Sequence, residues 1–176
     1  DDTVVFDGGN FCYFGRSHIP AKKPRKWWYL PNLGMLGIAV PVAIAAKAAN
    51  PDTRVVAVTG DGAFGFQGME LDTAVRHGIN TVTIVGTDAA WGIDKDIQIG
   101  LFGRPVITDL APTRYDIVAQ GLGAHGEYVE KPEELVPALK RAFAANKPAL
   151  VNVRIREGIS PRAESIVASR KSGGSA

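Results

Sequence analysis

The chain has 176 residues, 45% of them apolar and 22% charged, with a net charge of +2, proportions that suit one globular domain around a single core. One cysteine, Cys12, excludes both an intrachain disulfide framework and a cysteine-based zinc site. No apolar run reaches the roughly 18 residues that cross a bilayer, so no membrane partner is expected. The richest stretch, Gly34 to Ala49, is broken by Pro41 and Lys47 and reads as a buried helix. The chain opens Asp-Asp-Thr and runs straight into an apolar strand with no leader pattern. A reducing, cytoplasmic setting is the expectation, for a free-standing subunit or a fragment of a larger protein.

In chain order, Thr3–Phe6 reads as a strand and Leu36–Ala49 as an Ala-rich helix. Arg54–Thr59 is a β-branched strand, followed by helical spacing over Phe66–His77 and a buried strand at Thr81–Val85. A short helix is expected at Arg114–Leu122, a strand at Glu127–Val129, a helix at Glu133–Ala145 with Leu135, Val136, Leu139 and Phe143 on one stripe, and a last strand at Ala149–Val153. Apolar strands alternating with helices predict an α/β fold, a doubly wound parallel sheet with helices on both faces. From about Arg156 the sequence turns polar, so residues 157–176 are expected to form a flexible tail, or a lid carrying Arg156, Arg162, Arg170 and Lys171.

Charge is uneven along the chain. No acidic residue stands between Asp7 and Asp52, whereas Arg16, Lys22, Lys23, Arg25, Lys26 and Lys47 do. This window is either a solvated face or a surface meeting anionic groups. Trp27 and Trp28 beside it do not amount to a nucleic-acid module; subunit contact is the expected use.

In open α/β sheets ligands bind beyond the carboxyl ends of the strands, and two strands here end unusually. RVVAVT runs into Gly60-Asp61-Gly62, and TVTIV into Gly86-Thr87-Asp88-Ala89-Ala90-Trp91-Gly92. An Asp between two glycines can approach a ligand closely, and a helix N-terminus nearby favours phosphate. A hard cation such as Mg²⁺ takes one or two carboxylates together with phosphate oxygens. Asp88 follows Asp61 by 27 positions, so one intervening helix and strand would return it to the same sheet edge.

Gly60-Asp61-Gly62, 24 residues, then Thr87-Asp88 resembles the thiamine diphosphate (ThDP) signature of the acetolactate synthase and pyruvate decarboxylase superfamily, GDG followed by Asn-Asn. FDGGN, LPNLGMLGIAVPVAIAAKAANP, GDGAFGFQGMELDTAVRHGIN and WGID are similar to segments of that superfamily, in the same order. Within it, PRKWWYLPNLGMLGIAVP and GAFGFQGMELDTAV most resemble acetolactate-synthase-like proteins and 2-hydroxyacyl-CoA lyases. The resemblance implies that residues 1–156 form the ThDP diphosphate- and Mg²⁺-binding domain. It implies Asp61, Asp88 and the backbone carbonyl of Ala90 as metal ligands, and Gly62 and Ala63 as N–H donors to the diphosphate beside Gly60. Gly34 would accept from the cofactor's 4'-amino group, Leu36 would prop its V shape, and Gly9 and Asn10 would lie near the diphosphate or pyrimidine. Trp91, Gly92 and Ile93 would complete the cofactor pocket.

The implied activity is cleavage or formation of C–C bonds next to a carbonyl, of the lyase or carboligase type, with a CoA thioester as one substrate that would use the basic window. The family's catalytic Glu lies on a separate pyrimidine-binding domain, so the chain alone is expected to be inactive. It is expected to work in a hetero-oligomer, a dimer of heterodimers. Two alternatives stay open: a non-catalytic, regulatory ThDP-binding module, motivated by Thr87-Asp88 in place of Asn-Asn, and a Mg²⁺-dependent phosphate-ester enzyme. Of the histidines, His77 and His125 read as structural, and His18 as the one closest to substrate.

Overall fold

A computed structural model describes residues 2–29 and 34–173. Residues 30–33 of the LPNLGMLGIAVP segment and the last three of the expected tail lie outside the described residues. The described strands are β1 (Thr3–Phe6), β2 (Trp27–Tyr29), β3 (Val55–Gly60), β4 (Val82–Thr87), β5 (His125–Val129) and β6 (Ala149–Arg154). They form one parallel sheet in the order β2-β1-β3-β4-β6-β5.

Helices cover both faces, as the runs of apolar residues require. On one face α2 (Ala39–Ala49), α3 (Asp61–Gln67), α4 (Leu71–Arg76) and α6 (Tyr115–Gly121) bury Ile44, Phe64, Leu71 and Ala119 against Val85 and Leu150. On the other, α1 (Asn10–His18) sets Cys12 against Phe6 and Val58, and α7 (Pro132–Ala144) sets Ala138 and Ala142 against Val82 and Val151. Alternate residues of β3 serve the two faces: Val55 and Ala57 meet α2, while Val56 and Val58 meet α1, the period-2 geometry of a strand. No described helix is long and apolar enough to cross a membrane.

The helix expected over Phe66–His77 differs from the one found. It begins at Asp61, pauses in a 3-10 turn at Gly68–Glu70 and resumes as α4. At Gly68 an added Cβ would stand 2.5 Å from the Phe64 ring, so close packing tightens the chain there. Three helices and one strand had no counterpart in the sequence reading: α1, β2, α5 (Gly92–Phe102) and α8 (Pro161–Ser172). The last occupies the stretch read as tail or lid. Ser160 caps it, accepting from the Ala163 N–H at 3.3 Å, Pro161 follows at its first turn, and Arg170 and Lys171 sit in its last turn. It lies against α5 so closely that a Cβ at Gly100 would stand 2.6 Å from Val167.

Asp7, at the end of β1, ties the sheet to the segment leading into α2. Its carboxylate accepts N–H bonds from Gly8 (2.9 Å), Gly37 (3.1 Å) and Ala39 (2.9 Å). Burial pushes its pKa up and the backbone donors pull it back. The side chain thus serves as a remote cap for α2, which has no side-chain cap of its own. Asp7→Ala leaves these buried donors unmet and is expected to cost about 2 kcal/mol or more, with Asp7→Asn costing less. Denaturant unfolding checks it; a loss within ~0.5 kcal/mol, the range of ordinary surface substitutions, would contradict the assignment.

Candidate functional site

The parallel register places Gly60 of β3 opposite Gly86 of β4, so Asp61 and Asp88 emerge side by side at the carboxyl edge of the sheet. Asp61 is 2% exposed. Its two oxygens accept the N–H of Gly62 at 2.8 Å and of Ala89 at 2.8 Å, so one side chain clamps the start of α3 to the loop after β4. Ala89 takes a left-handed conformation at φ 57°. Its N–H thereby turns toward Asp61 while its carbonyl accepts from Leu110 at 2.7 Å. The Trp91 N–H bonds the Thr108 carbonyl at 2.7 Å, and the loop is pinned on both sides.

Every residue that the resemblance implied as a cofactor or metal contact lines one cavity of about 280 Å³. Gly60, Asp61, Gly62, Ala63, Asp88 and Ala90 come to it from the ends of β3 and β4 and the segments that follow them, and Trp91, Gly92 and Ile93 from the start of α5. Gly9, Asn10, Gly34 and Leu36 form the side toward β1. Gly62 must lack a side chain, since a Cβ would stand 2.9 Å from the Trp91 ring. That ring also meets Phe66 edge-on at 5.6 Å. Gly9, at φ 99°, starts α1 in a conformation that other residues rarely adopt.

The electrostatics are uncomfortable without a ligand. Burial and then the Asp61 charge push Asp88 up to about 6. Burial also raises Asp61, against the pull of the Gly62, Ala89 and Ala90 N–H groups. Asn10 is 6% exposed; its Nδ2 donates to Asp96 at 2.6 Å while its Oδ1 is buried with no partner among the described residues. A Cβ at Gly92 would lie 3.1 Å from Asn10 Nδ2 and 3.2 Å from Asp88 Oδ2, so these groups crowd one spot. No group of three or more His, Cys, Asp or Glu converges among the described residues. The donor set is two hard carboxylates plus backbone, which fits a Mg²⁺ ion whose remaining ligands are phosphate and water oxygens.

The cavity has further walls that the sequence reading passed over: Gly8, Phe11, Tyr13, Tyr29, Met35, Gly86 and Asp94. Spacing from Asn10 would have found Tyr13, three residues on, once α1 was assigned. Tyr29 reaches the site only through the pairing of Phe6 with Tyr29. Among the histidines, exposed His18 bonds the Phe14 carbonyl at 2.8 Å and does not line the cavity, and His125 bonds Glu127 at 2.8 Å.

Residues 7–153 match the family model described as thiamine pyrophosphate enzyme, C-terminal TPP binding domain, thiamine pyrophosphate being another name for ThDP. The chain is 46% identical over 154 residues to an acetolactate synthase large subunit of Mycobacterium tuberculosis, covering 87% of this chain and 28% of that protein. It is 40% identical over 160 residues to a 2-hydroxyacyl-CoA lyase of Arabidopsis thaliana, with the same coverage of each. A sulfoacetaldehyde acetyltransferase of Alcaligenes xylosoxydans is 34% identical over 141 residues, or 80% of this chain and 23% of that protein. The chain thus spans 23% to 28% of the length of these relatives. By this match and by the parallel α/β architecture that carries it, the chain belongs to the C-terminal TPP-binding domain family of thiamine pyrophosphate enzymes.

Proposed function

We propose that this chain holds the diphosphate and Mg²⁺ of ThDP and forms one part of an active site that makes or breaks C–C bonds next to a carbonyl. A pyrimidine-binding domain carrying a catalytic Glu completes the site, on the same polypeptide or on a partner in a dimer of heterodimers. The observation that carries this reading is the pair of carboxylates, buried Asp61 and half-buried Asp88, that line one cavity at adjacent strand ends. Each raises the cost of ionising the other, and a divalent cation between them removes that cost.

In this reading Asp61 and Asp88 ligate the metal through oxygen, with the Ala90 carbonyl as the third protein ligand. Gly62 and Ala63 present N–H groups to the diphosphate at the start of α3. Gly34 and Leu36 orient the remainder of the cofactor, and Trp91 closes the wall against water. When bound, ThDP supplies the nucleophile and electron sink for chemistry at the carbonyl. The relatives named as acetolactate synthase and 2-hydroxyacyl-CoA lyase favour 2-oxo acids or 2-hydroxyacyl-CoA thioesters as substrates.

The change from Asn-Asn to Thr87-Asp88 does not favour a degenerate, non-catalytic module. The Thr87 hydroxyl turns into the sheet and bonds Asn152, while Asp88 is the residue that lines the cavity. The substitution therefore changes a group that bonds to β6 and, in this reading, keeps an oxygen ligand for the metal.

Two outcomes are expected. In calorimetric titration of ThDP with Mg²⁺, Asp61→Ala weakens binding by roughly 10- to 100-fold, the scale of losing one charged hydrogen-bonding ligand, while Asp88→Asn retains it. Equal binding by the parent and Asp61→Ala would defeat the reading. The second concerns pH in the absence of divalent cations. Asp88 holds its proton more tightly folded than unfolded, with its pKa raised from 3.8 to about 6. Stability is therefore highest at low pH in this respect and falls as pH rises from near 4 to near 6, then levels. Denaturant melts across that range test it; Asp88→Asn should flatten this part of the profile, and a parent profile rising through the window for which Asp88→Asn makes no difference would contradict it.

A further inference from the structure

The cavity is lined by groups of opposite character: Asp61, Asp88 and Asp94 on the side of β3 and β4, and Tyr13 of α1 with Tyr29 at the end of β2, two strands away from β3 in the sheet. Helix α1 runs between them: Asn10 and Tyr13 line the cavity, and Arg16 follows three residues after Tyr13, its neighbour on the helix surface. The Arg16 guanidinium carbon stands 3.9 Å from the Tyr13 ring centre and 3.5 Å from that of Tyr29. The two phenol oxygens are 3.3 Å apart. The Arg16 Nε–H is buried with no acceptor among the described residues.

Two hydroxyls that share one hydrogen bond have one proton left to give. A guanidinium stacked on both rings draws electron density from them and makes that proton a better donor. Burial raises both phenols; their mutual hydrogen bond lowers Tyr13 and raises Tyr29, and the Arg16 guanidinium lowers both. The local field is positive and the free hydrogen-bonding capacity is that of a donor.

We propose that the hydroxyl pair of Tyr13 and Tyr29, backed by Arg16, is an anion subsite that takes an acidic oxygen group of the substrate, a carboxylate or a phosphate, on the β2 side of the cavity. The subsite rests on the proposed function for the identity of its ligand as a substrate. It gives the cavity a direction: the pyrophosphoryl group and its cation on the acidic side, the anionic end of the substrate on the phenolic side. It also makes Tyr13 and Tyr29 specificity-determining residues, because a substrate lacking the anion leaves their proton and the Arg16 charge unmatched.

The alternative is a brace, in which the stack only ties edge strand β2 to α1. Tyr→Phe substitutions separate the two, since they keep the rings and the stack and remove only the oxygens. Pyruvate, as the carboxylate probe, and CoA, as the phosphate probe, are titrated calorimetrically into the full chain with and without ThDP and Mg²⁺. ThDP–Mg²⁺ binding is measured separately in each variant. Tyr13→Phe and Tyr29→Phe are each expected to weaken one of the two probes by roughly tenfold, and to leave ThDP–Mg²⁺ affinity within about twofold. Which probe responds identifies carboxylate or phosphate. Arg16→Lys, which keeps the charge but loses the planar stack, is expected to fall between the parent and Arg16→Gln. If neither probe binds the parent, or if both phenylalanine variants bind the probes as the parent does, the subsite is overturned and the stack is a brace. Failure of ThDP–Mg²⁺ to bind the parent sinks the cofactor reading instead, and the probe titrations without cofactor still decide the subsite.

Discussion

Two carboxylates brought to one point by strand register govern this molecule. Gly60 lies opposite Gly86 in a parallel pair, and the residue after the first and the second residue after the other are both aspartates. Parallel strands end at one edge of the sheet, so the charges cannot avoid each other, and the burial that makes the domain compact deprives both of water. Asp61 spends its oxygens on backbone N–H groups of Gly62 and Ala89, which stabilises its charge and holds the two loops together. Asp88 has less help and is driven up to about 6. A divalent cation placed between the two carboxylates would remove that electrostatic cost.

The rest of the fold serves to hold that edge still. Asp7 fastens the end of β1 to the residues just before α2, and so sets where Leu36 stands over Gly8. Behind the loop after β4, Asn152 of β6 takes the Thr87 hydroxyl and reaches Asp116, whose carboxylate is gripped by Arg114 at 2.7 and 2.8 Å. The Arg114 interaction holds Asp116 below the usual carboxylate range, against the pull of burial. This chain of buried polar groups is satisfied at each link, which is the condition under which such a network fixes geometry. On the outer side, Lys95 of α5 bridges Asp109 and Glu157 at 2.8 and 2.9 Å, joining the helix after Trp91 to the segment that leads into α8.

Much of this was legible in the sequence, and the reasons divide cleanly. RVVAVT and TVTIV announce buried strands because parallel strands are apolar throughout, and the residues at their ends stand out because they serve neither packing nor ordinary turn chemistry. The resemblance to ThDP enzymes then carried residue roles that spacing alone does not. Helix α1 was opaque: Asn10, Phe11, Tyr13 and Gly15 are poor helix formers and Gly9 offers no side-chain cap, so Cys12 and its contacts with Phe6 and Val58 hold the helix where propensity does not. Helix α5 buries none of its residues in this chain, and the Ile93, Ile97 and Leu101 stripe along GIDKDIQIGLF is interrupted by Asp94, Lys95 and Asp96 and by Gly100. Strand β2 has three residues and exists through its pairing with β1. Because α1 and β2 were hidden, so were Tyr13 and Tyr29. Helix α8, by contrast, carried its signals openly in Ser160, Pro161 and the terminal Arg170 and Lys171; its polar composition masked them.

The central claim is that the carboxylates of Asp61 and Asp88 close on one divalent ion that tethers a diphosphate. Mn²⁺ substitutes for Mg²⁺ and scatters anomalously, so a crystal of the chain grown with ThDP and Mn²⁺ reads the position of the ion directly. The account predicts one anomalous peak at about 2.1–2.2 Å from an oxygen of each carboxylate, with the Ala90 carbonyl and diphosphate oxygens completing the shell. A peak bound to only one of the two aspartates, or ThDP density with no metal between them, would contradict it.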